Sequence, residues 1–172
     1  GVKMLIYITE PSEIDCDKLM AIYRESNGAN AKIFFPQIKN AVKARKKAET
    51  AYCDYIEKEF LSGKNAYCIL EENGAWVSAL RLYKIDGGFY FIEALETAPK
   101  FRCKGYAEKL LNELIEKLKN TENCKIYDCV SKKNTASLRV HEKCGFKIVD
   151  ENAFDYLQQK IDEQSYGLEY SV

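Results

Sequence analysis

A single histidine, a single tryptophan and three prolines occur among 172 residues, and 26 basic side chains balance 26 acidic ones to a net charge of zero. One histidine cannot furnish a histidine-rich ligand set, and none of the seven cysteines stands in a C-x-x-C pair, so no metal site is expected. Scattered thiols in odd number do not make a disulfide framework and suit a reducing compartment, so a cytoplasmic location is expected. The missing basic excess argues against a dedicated nucleic-acid partner. No apolar run nears the roughly 18–20 residues of a membrane span. No basic start followed by an apolar core reads as a secretory leader. Gly1 is not a natural initiator, so the natural start is expected elsewhere. What is present is ordinary for a soluble protein: 47% hydrophobic and 30% charged residues, enough for one domain over residues 1–172.

Against this plain background one stretch is specific: Arg102-Cys103-Lys104-Gly105-Tyr106-Ala107. Small residues at 105 and 107 let a backbone approach a ligand closely. The run before it, residues 89–99, reads as a strand stopped by Pro99. The run after it sets Leu110, Leu111, Leu114, Ile115 and Leu118 on one helical stripe. A helix opening at that turn aims its free N–H groups and positive dipole end into it, the environment a pyrophosphate needs.

The rest of the chain divides by the same signals. Residues 2–8 read as a strand. A helix follows Pro11-Ser12-Glu13, with Ile14, Leu19, Ile22 and Tyr23 on its apolar face, and stops at Asn27-Gly28. Residues 30–36 read as a loop and 37–61 as a long, lysine-rich helix. Strands at 66–70 and 76–83 meet at Asn73-Gly74, and Asp86-Gly87 turns the chain into the strand at 89–97. A strand at 125–130, a helix at 134–144 and strands at 146–149 and 166–172 complete the order.

Two motifs together resemble a known family. Arg102, Gly105 and Ala107 match Q/R-x-x-G-x-G/A, and Leu95-Glu96-Thr97-Ala98-Pro99 stands where L-x-V-x-P is usual. Downstream, Asn134-Thr-Ala-Ser137-Leu-Arg-Val-His141-Glu-Lys-Cys-Gly145-Phe146 is similar to N-x-x-A-x-x-x-Y-x-x-x-G-F. These are motifs A and B of the GCN5-related N-acetyltransferases (GNAT). The resemblance implies the α/β (α+β) acyl-CoA N-acyltransferase fold, a mixed, mostly antiparallel sheet of about seven strands flanked by about four helices. It implies acetyl transfer from acetyl-CoA to a primary amine of a small molecule or peptide, by direct attack in a ternary complex. Two alternatives stand beside that: an acyl-CoA-binding sensor without turnover, and a protein lysine or N-terminal acetyltransferase. A homodimer through the C-terminal strands is a further expectation of the resemblance.

The resemblance also assigns residues. The backbone at Leu95, Glu96 and Thr97 would hold the pantetheine arm, and Arg102, Cys103, Lys104, Gly105, Tyr106 and Ala107 the pyrophosphate. Asn134, Ser137 and His141 would complete the cofactor contacts. Cys103 reads as a small filler rather than a reactive thiol. A carboxylate in an otherwise apolar central strand is anomalous, so Glu93 is the favoured base and Glu96 the second candidate. By strand parity Glu93 shares a face with Leu95 and Thr97 up to any bulge, and Glu96 faces the other way. His141 occupies the place of the usual tyrosine and is the candidate general acid, with an ordinary pKa near 6.5. For the acceptor pocket the sequence offers Phe34, Phe35, Tyr52 and Tyr55, with Asp155, Asp162 and Glu163 near the C-terminus.

Overall fold

The computed structural model describes residues 3–171; Gly1, Val2 and Val172, with the strand ends expected there, lie outside them. In chain order the elements are β1 (Lys3–Ile8), α1 (Cys16–Ile22), α2 (Arg24–Phe34), α3 (Ala41–Lys58), β2 (Ala66–Glu72), β3 (Ala75–Asp86), β4 (Phe89–Thr97), α4 (Tyr106–Leu118), β5 (Lys125–Ser131), α5 (Thr135–Lys143), β6 (Lys147–Asp150), β7 (Ala153–Asp155), β8 (Lys160–Asp162) and β9 (Ser165–Ser171). Seven strands form one sheet in the order β1-β2-β3-β4-β5-β9-β6, and β7 with β8 forms a separate ribbon. Every neighbouring pair is antiparallel except β4 and β5.

Local chemistry sets the turns. Asn73 and Gly74 both take positive φ, 51° and 80°, so the β2–β3 connection has the twist a two-residue hairpin needs. Helices cover both faces of the sheet. The stripe of α4 is buried at Leu110, Leu111, Leu114, Ile115 and Leu118, against Leu80, Leu82, Ile92 and Ile126 of the strands. Full burial of each such side chain contributes about 1.5–3 kcal/mol. The opposite face packs Leu19, Ile22, Tyr23 and Ile56 from α1, its end and α3 on Tyr67, Ile69, Tyr83 and Phe91. A smaller apolar cluster, Ala31, Ala44 and Ala48, joins α2 to α3.

The structure departs from the sequence reading in the first half. The opening helix breaks at Tyr23, and α2 runs straight through Asn27-Gly28 to Phe34, where a loop was expected. Asn27 is buried and its amide donates to the Met20 sulfur at 3.3 Å, so it packs a helix rather than ending one. The next helix starts at Ala41, not 37, because Asn40 caps it: its Oδ1 accepts from the Lys43 N–H at 3.0 Å. Among the described residues there are thus five α-helices, one more than expected. The β7–β8 ribbon, with three residues in each strand, was also not foreseen.

Candidate active site

The centre of the sheet holds an opening. β4 and β5 run parallel from Phe89↔Lys125 only as far as Ile92↔Asp128. β5 continues to Ser131 beside β9, while the second half of β4 stays paired with β3 alone. The same half of β4 carries a bulge. The β3 register slips between Ala79 and Arg81, and Ala94 takes φ +55°, an uncommon conformation for a residue with a Cβ. An extra residue in a strand reverses the alternation beyond it. Ile92 and Leu95 therefore pack on the α4–α5 side. Glu93 and Glu96 lie across from Arg81 and Ala79 on the α1–α3 side. The expected parity is corrected accordingly: the two carboxylates share a face, and Glu93 does not share one with Leu95.

The phosphate-shaped turn lies just beyond. Cys103 and Gly105 take φ of 60° and 77°, and Gly105 occupies the N-cap position of α4 with no side-chain cap. A glycine at that position offers no side-chain oxygen to the start of the helix, where most helices have one. A Cβ at Gly105 would meet nothing within 4 Å, so the glycine is required by its backbone angle and the space before the helix is open. An anion with several acceptor oxygens fits such a site. Two side chains of the turn reach to other elements. Arg102 forms an ion pair with Glu25 of α2 at 2.7 Å and donates to the Thr97 carbonyl at 3.4 Å. Tyr106 turns its hydroxyl to Glu72. Cys103 is exposed.

The two candidate bases differ in surroundings. Glu93 is held by Arg81, 2.9 Å away, and that guanidinium also donates to Tyr83 at 3.1 Å and to Tyr52. Tyr52 and Tyr67 share a hydrogen bond of 2.8 Å, and Tyr55 and Tyr83 one of 3.0 Å. Glu96 accepts a weaker bond from the Ser26 hydroxyl, at 3.3 Å. Burial pushes the Glu96 pKa above the ordinary carboxylate value; the Ser26 bond and the Arg102 charge oppose this and Glu25 adds to it. The surroundings of Glu96 therefore favour its taking up a proton.

His141 stands apart from both. Its side chain is fully buried on the α4–α5 side, edge-on to Phe146. Nε2 lies 2.7 Å from Asp128 Oδ2, and Nδ1 lies 2.7 Å from the Ser137 carbonyl. A carbonyl only accepts, so Nδ1 carries a proton. Burial alone would lower the His141 pKa, but the bond to Asp128, its charge and the Ser137 carbonyl outweigh that and raise it. With both nitrogens engaged, the ring as placed ties α5 to β5 at the last paired residue before the opening. Asn134 likewise spends its Oδ1 on the Ser137 N–H at 3.1 Å, capping α5.

The expected acceptor residues scatter. Tyr52 and Tyr55 join the hydroxyl network around Arg81, Phe35 packs between α2 and α3, and Phe34 is exposed. Asp155 and Asp162 accept backbone N–H groups in the turns of the β7–β8 ribbon. Sequence reasoning missed the α1–α2 junction, where Tyr23, Glu25 and Ser26 reach Ala94, Arg102 and Glu96. A tyrosine followed by short polar residues carries no motif, so no sequence signal marked it.

Among the described residues no His, Cys, Asp and Glu side chains gather into a metal-holding group, and no helix is long and apolar enough to cross a membrane. No curated protein matches this sequence. Solved structures share the fold at low identity. The PaiA N-acetyltransferase of Thermoplasma acidophilum in complex with coenzyme A superposes with a TM-score of 0.65 at 16% identity, over 98% of this chain and 99% of that one. An acetyltransferase of Streptococcus agalactiae gives 0.65 at 18% identity, over 99% and 98%. The spermidine N-acetyltransferase of Vibrio cholerae in complex with CoA and spermine gives 0.63 at 16%, over 98% and 95%. Residues 20–146 match the acetyltransferase (GNAT) family, a span that holds the bulged β4, the uncapped α4 turn and the Asn134–Phe146 motif. The strand opening, the anion-ready helix and that match agree, and this chain belongs to the GNAT family of acetyltransferases.

Proposed function

We propose that this protein transfers acetyl from acetyl-CoA to a small, cationic primary amine, with Glu96 as the base. The observation that carries the reading is the juxtaposition of the uncapped, left-handed Gly105 turn with the half of β4 that has parted from β5. The first offers backbone donors to a pyrophosphate, the second a free strand edge to an amide-bearing arm. Acetyl-CoA supplies the activated thioester, and the residues of this chain do the rest.

An alkyl ammonium has no lone pair and a pKa near 10.4, so attack requires loss of a proton. Glu96, partly buried and raised in pKa, accepts that proton at its carboxylate and returns it to solvent after the amide has formed. Backbone N–H groups of the bulged strand stabilise the charge that develops on the thioester oxygen. A thiol with an ordinary pKa near 8.5 leaves as thiolate close to neutral pH and takes up the second proton, which the attacking nitrogen sheds as the amide forms, so the reaction does not depend on a strong acid at His141. Glu93 orients rather than accepts, because Arg81 holds it. Arg102 and Arg81 neutralise Glu25 and Glu93, which leaves Glu96 as the carboxylate on this side that a cationic acceptor could meet, and the spermidine enzyme of Vibrio cholerae suggests polyamines as the first to try.

Calorimetric titration with acetyl-CoA tests the donor site. Micromolar binding that vanishes in Gly105→Glu supports it; absence of binding in the unaltered protein removes the reading. Thiol release across a panel of amines and lysine peptides then separates small amines from protein acceptors, and release with neither leaves a sensor.

A further inference from the structure

Resting on the acetyl-transfer reading, we propose that Tyr23 is a positioning residue: its hydroxyl fixes the peptide between Ala94 and Leu95, and so aims the Leu95 N–H that faces away from it. The Tyr23 hydroxyl donates to the Ala94 carbonyl at 2.7 Å. Ala94 is the residue of β4 held at φ +55°. In a trans peptide the carbonyl and the next N–H point in opposite directions. A carbonyl pulled toward the α1–α2 junction therefore turns the Leu95 N–H away from that helical layer. This is the part of β4 that has no partner on the β5 side. An N–H held there is a preorganised donor for the thioester oxygen.

Several features suit Tyr23 to this task. It is only 2% exposed, and its ring packs on Tyr52 and Tyr67 with centroids 5.3 and 6.2 Å away. It occupies the break between α1 and α2, at φ −94° and ψ 16°, so its backbone leaves both helices to deliver the side chain. The following turn adds a second tie, because the Ser26 hydroxyl lies 3.1 Å from the Tyr23 carbonyl and 3.3 Å from Glu96. Burial, reinforced by Tyr52, raises the Tyr23 pKa well above the ordinary phenol value against opposing effects of Tyr67 and Arg81, so the hydroxyl remains a neutral donor. A bulge without glycine is a strained conformation that its surroundings must hold.

Tyr23→Phe removes the hydroxyl and keeps the ring. Tyr127→Phe is the control: it deletes the hydroxyl of an equally buried tyrosine, bonded to Asp150 and the Phe154 N–H, away from the bulge. In Tyr23→Phe, kcat should fall about tenfold, the worth of one lost hydrogen bond, while the acetyl-CoA Kd and the amine KM stay within about twofold. Tyr127→Phe should lower Tm without that loss of kcat. Nitrogen-15 NMR reads the peptide directly: the Leu95 amide resonance, set by the orientation of that peptide, should shift in Tyr23→Phe and hold in Tyr127→Phe. An unchanged Leu95 amide, or equal loss of kcat in both variants, overturns the proposal. If the unaltered protein acetylates no amine, the acetyl-transfer reading falls, and the Leu95 amide still decides whether Tyr23 holds the peptide.

Discussion

Arg81 and Glu93 face each other across the β3–β4 ladder, with guanidinium and carboxylate 2.9 Å apart and Tyr83 and Tyr52 accepting from the same guanidinium. The pair therefore acts as a bracket under the bulge. Glu93→Gln should cost about 1–3 kcal/mol of stability, because it leaves a largely buried cation without its counter-charge. It should lower kcat much less than a change at Glu96. Urea denaturation and steady-state rates on the same preparations check both halves.

Glu96→Gln should reduce kcat by about a hundredfold, the scale of a lost general base. In the unaltered protein the acid limb of the rate profile should lie above the ordinary carboxylate range, since burial raises this pKa. Stability should move the opposite way. A carboxyl whose folded pKa is raised contributes fully below its unfolded pKa and loses that contribution as pH rises through the folded one. The Tm of Glu96→Gln relative to the unaltered protein should therefore increase from pH 4 to pH 8. A flat difference would remove Glu96 as a perturbed group.

His141→Phe should destabilise by about 3–5 kcal/mol, because Asp128 keeps a buried carboxyl that has lost its partner. Residual turnover, corrected for folded fraction, should stay within about tenfold of normal. The His141 pKa is raised, so the contribution of the pair is complete below the ordinary histidine value and fades as pH climbs through the raised one. The gap in Tm between the two proteins should narrow from pH 6 to pH 9, and thermal scans across that range will show whether it does.

Gly105→Ala should weaken acetyl-CoA binding by about tenfold with a small loss of stability. Its φ of +77° strains any residue bearing a Cβ by about 1–2 kcal/mol, and relief of that strain would re-aim the N–H groups at the start of α4. Arg102→Ala should do less, since its side chain is held by Glu25. Calorimetry on the two variants ranks backbone against side chain.

What could be read from the sequence was governed by short-range chemistry. The α4 stripe, the Asn73-Gly74 turn and the Arg102–Ala107 turn depend on neighbouring residues and lie where the spacing puts them. The bulge does not. Ala94 carries no mark of a left-handed backbone, and Tyr23, 71 positions away in the chain, helps to hold it there. Because that bulge sets which way Glu93 and Glu96 point, the order of preference between the two bases depended on a long-range contact. The partners of His141 were hidden for the same reason: Asp128 is on another element, and a histidine at a motif position gives no sign of being tied on both nitrogens. Gly28 shows the converse, a residue that permits a helix end without requiring one.

The short β4–β5 ladder makes this protein an incomplete sheet. Whatever pairs with the free half of β4 becomes a structural member as well as a reactant. Binding of the donor should then be partly a completion of folding, and heat should report it. A ligand at a hundred times its Kd adds about 2.7 kcal/mol to the folded state. Opening of the α1–α2 junction and of the second half of β4 should slow most, since those segments surround the gap.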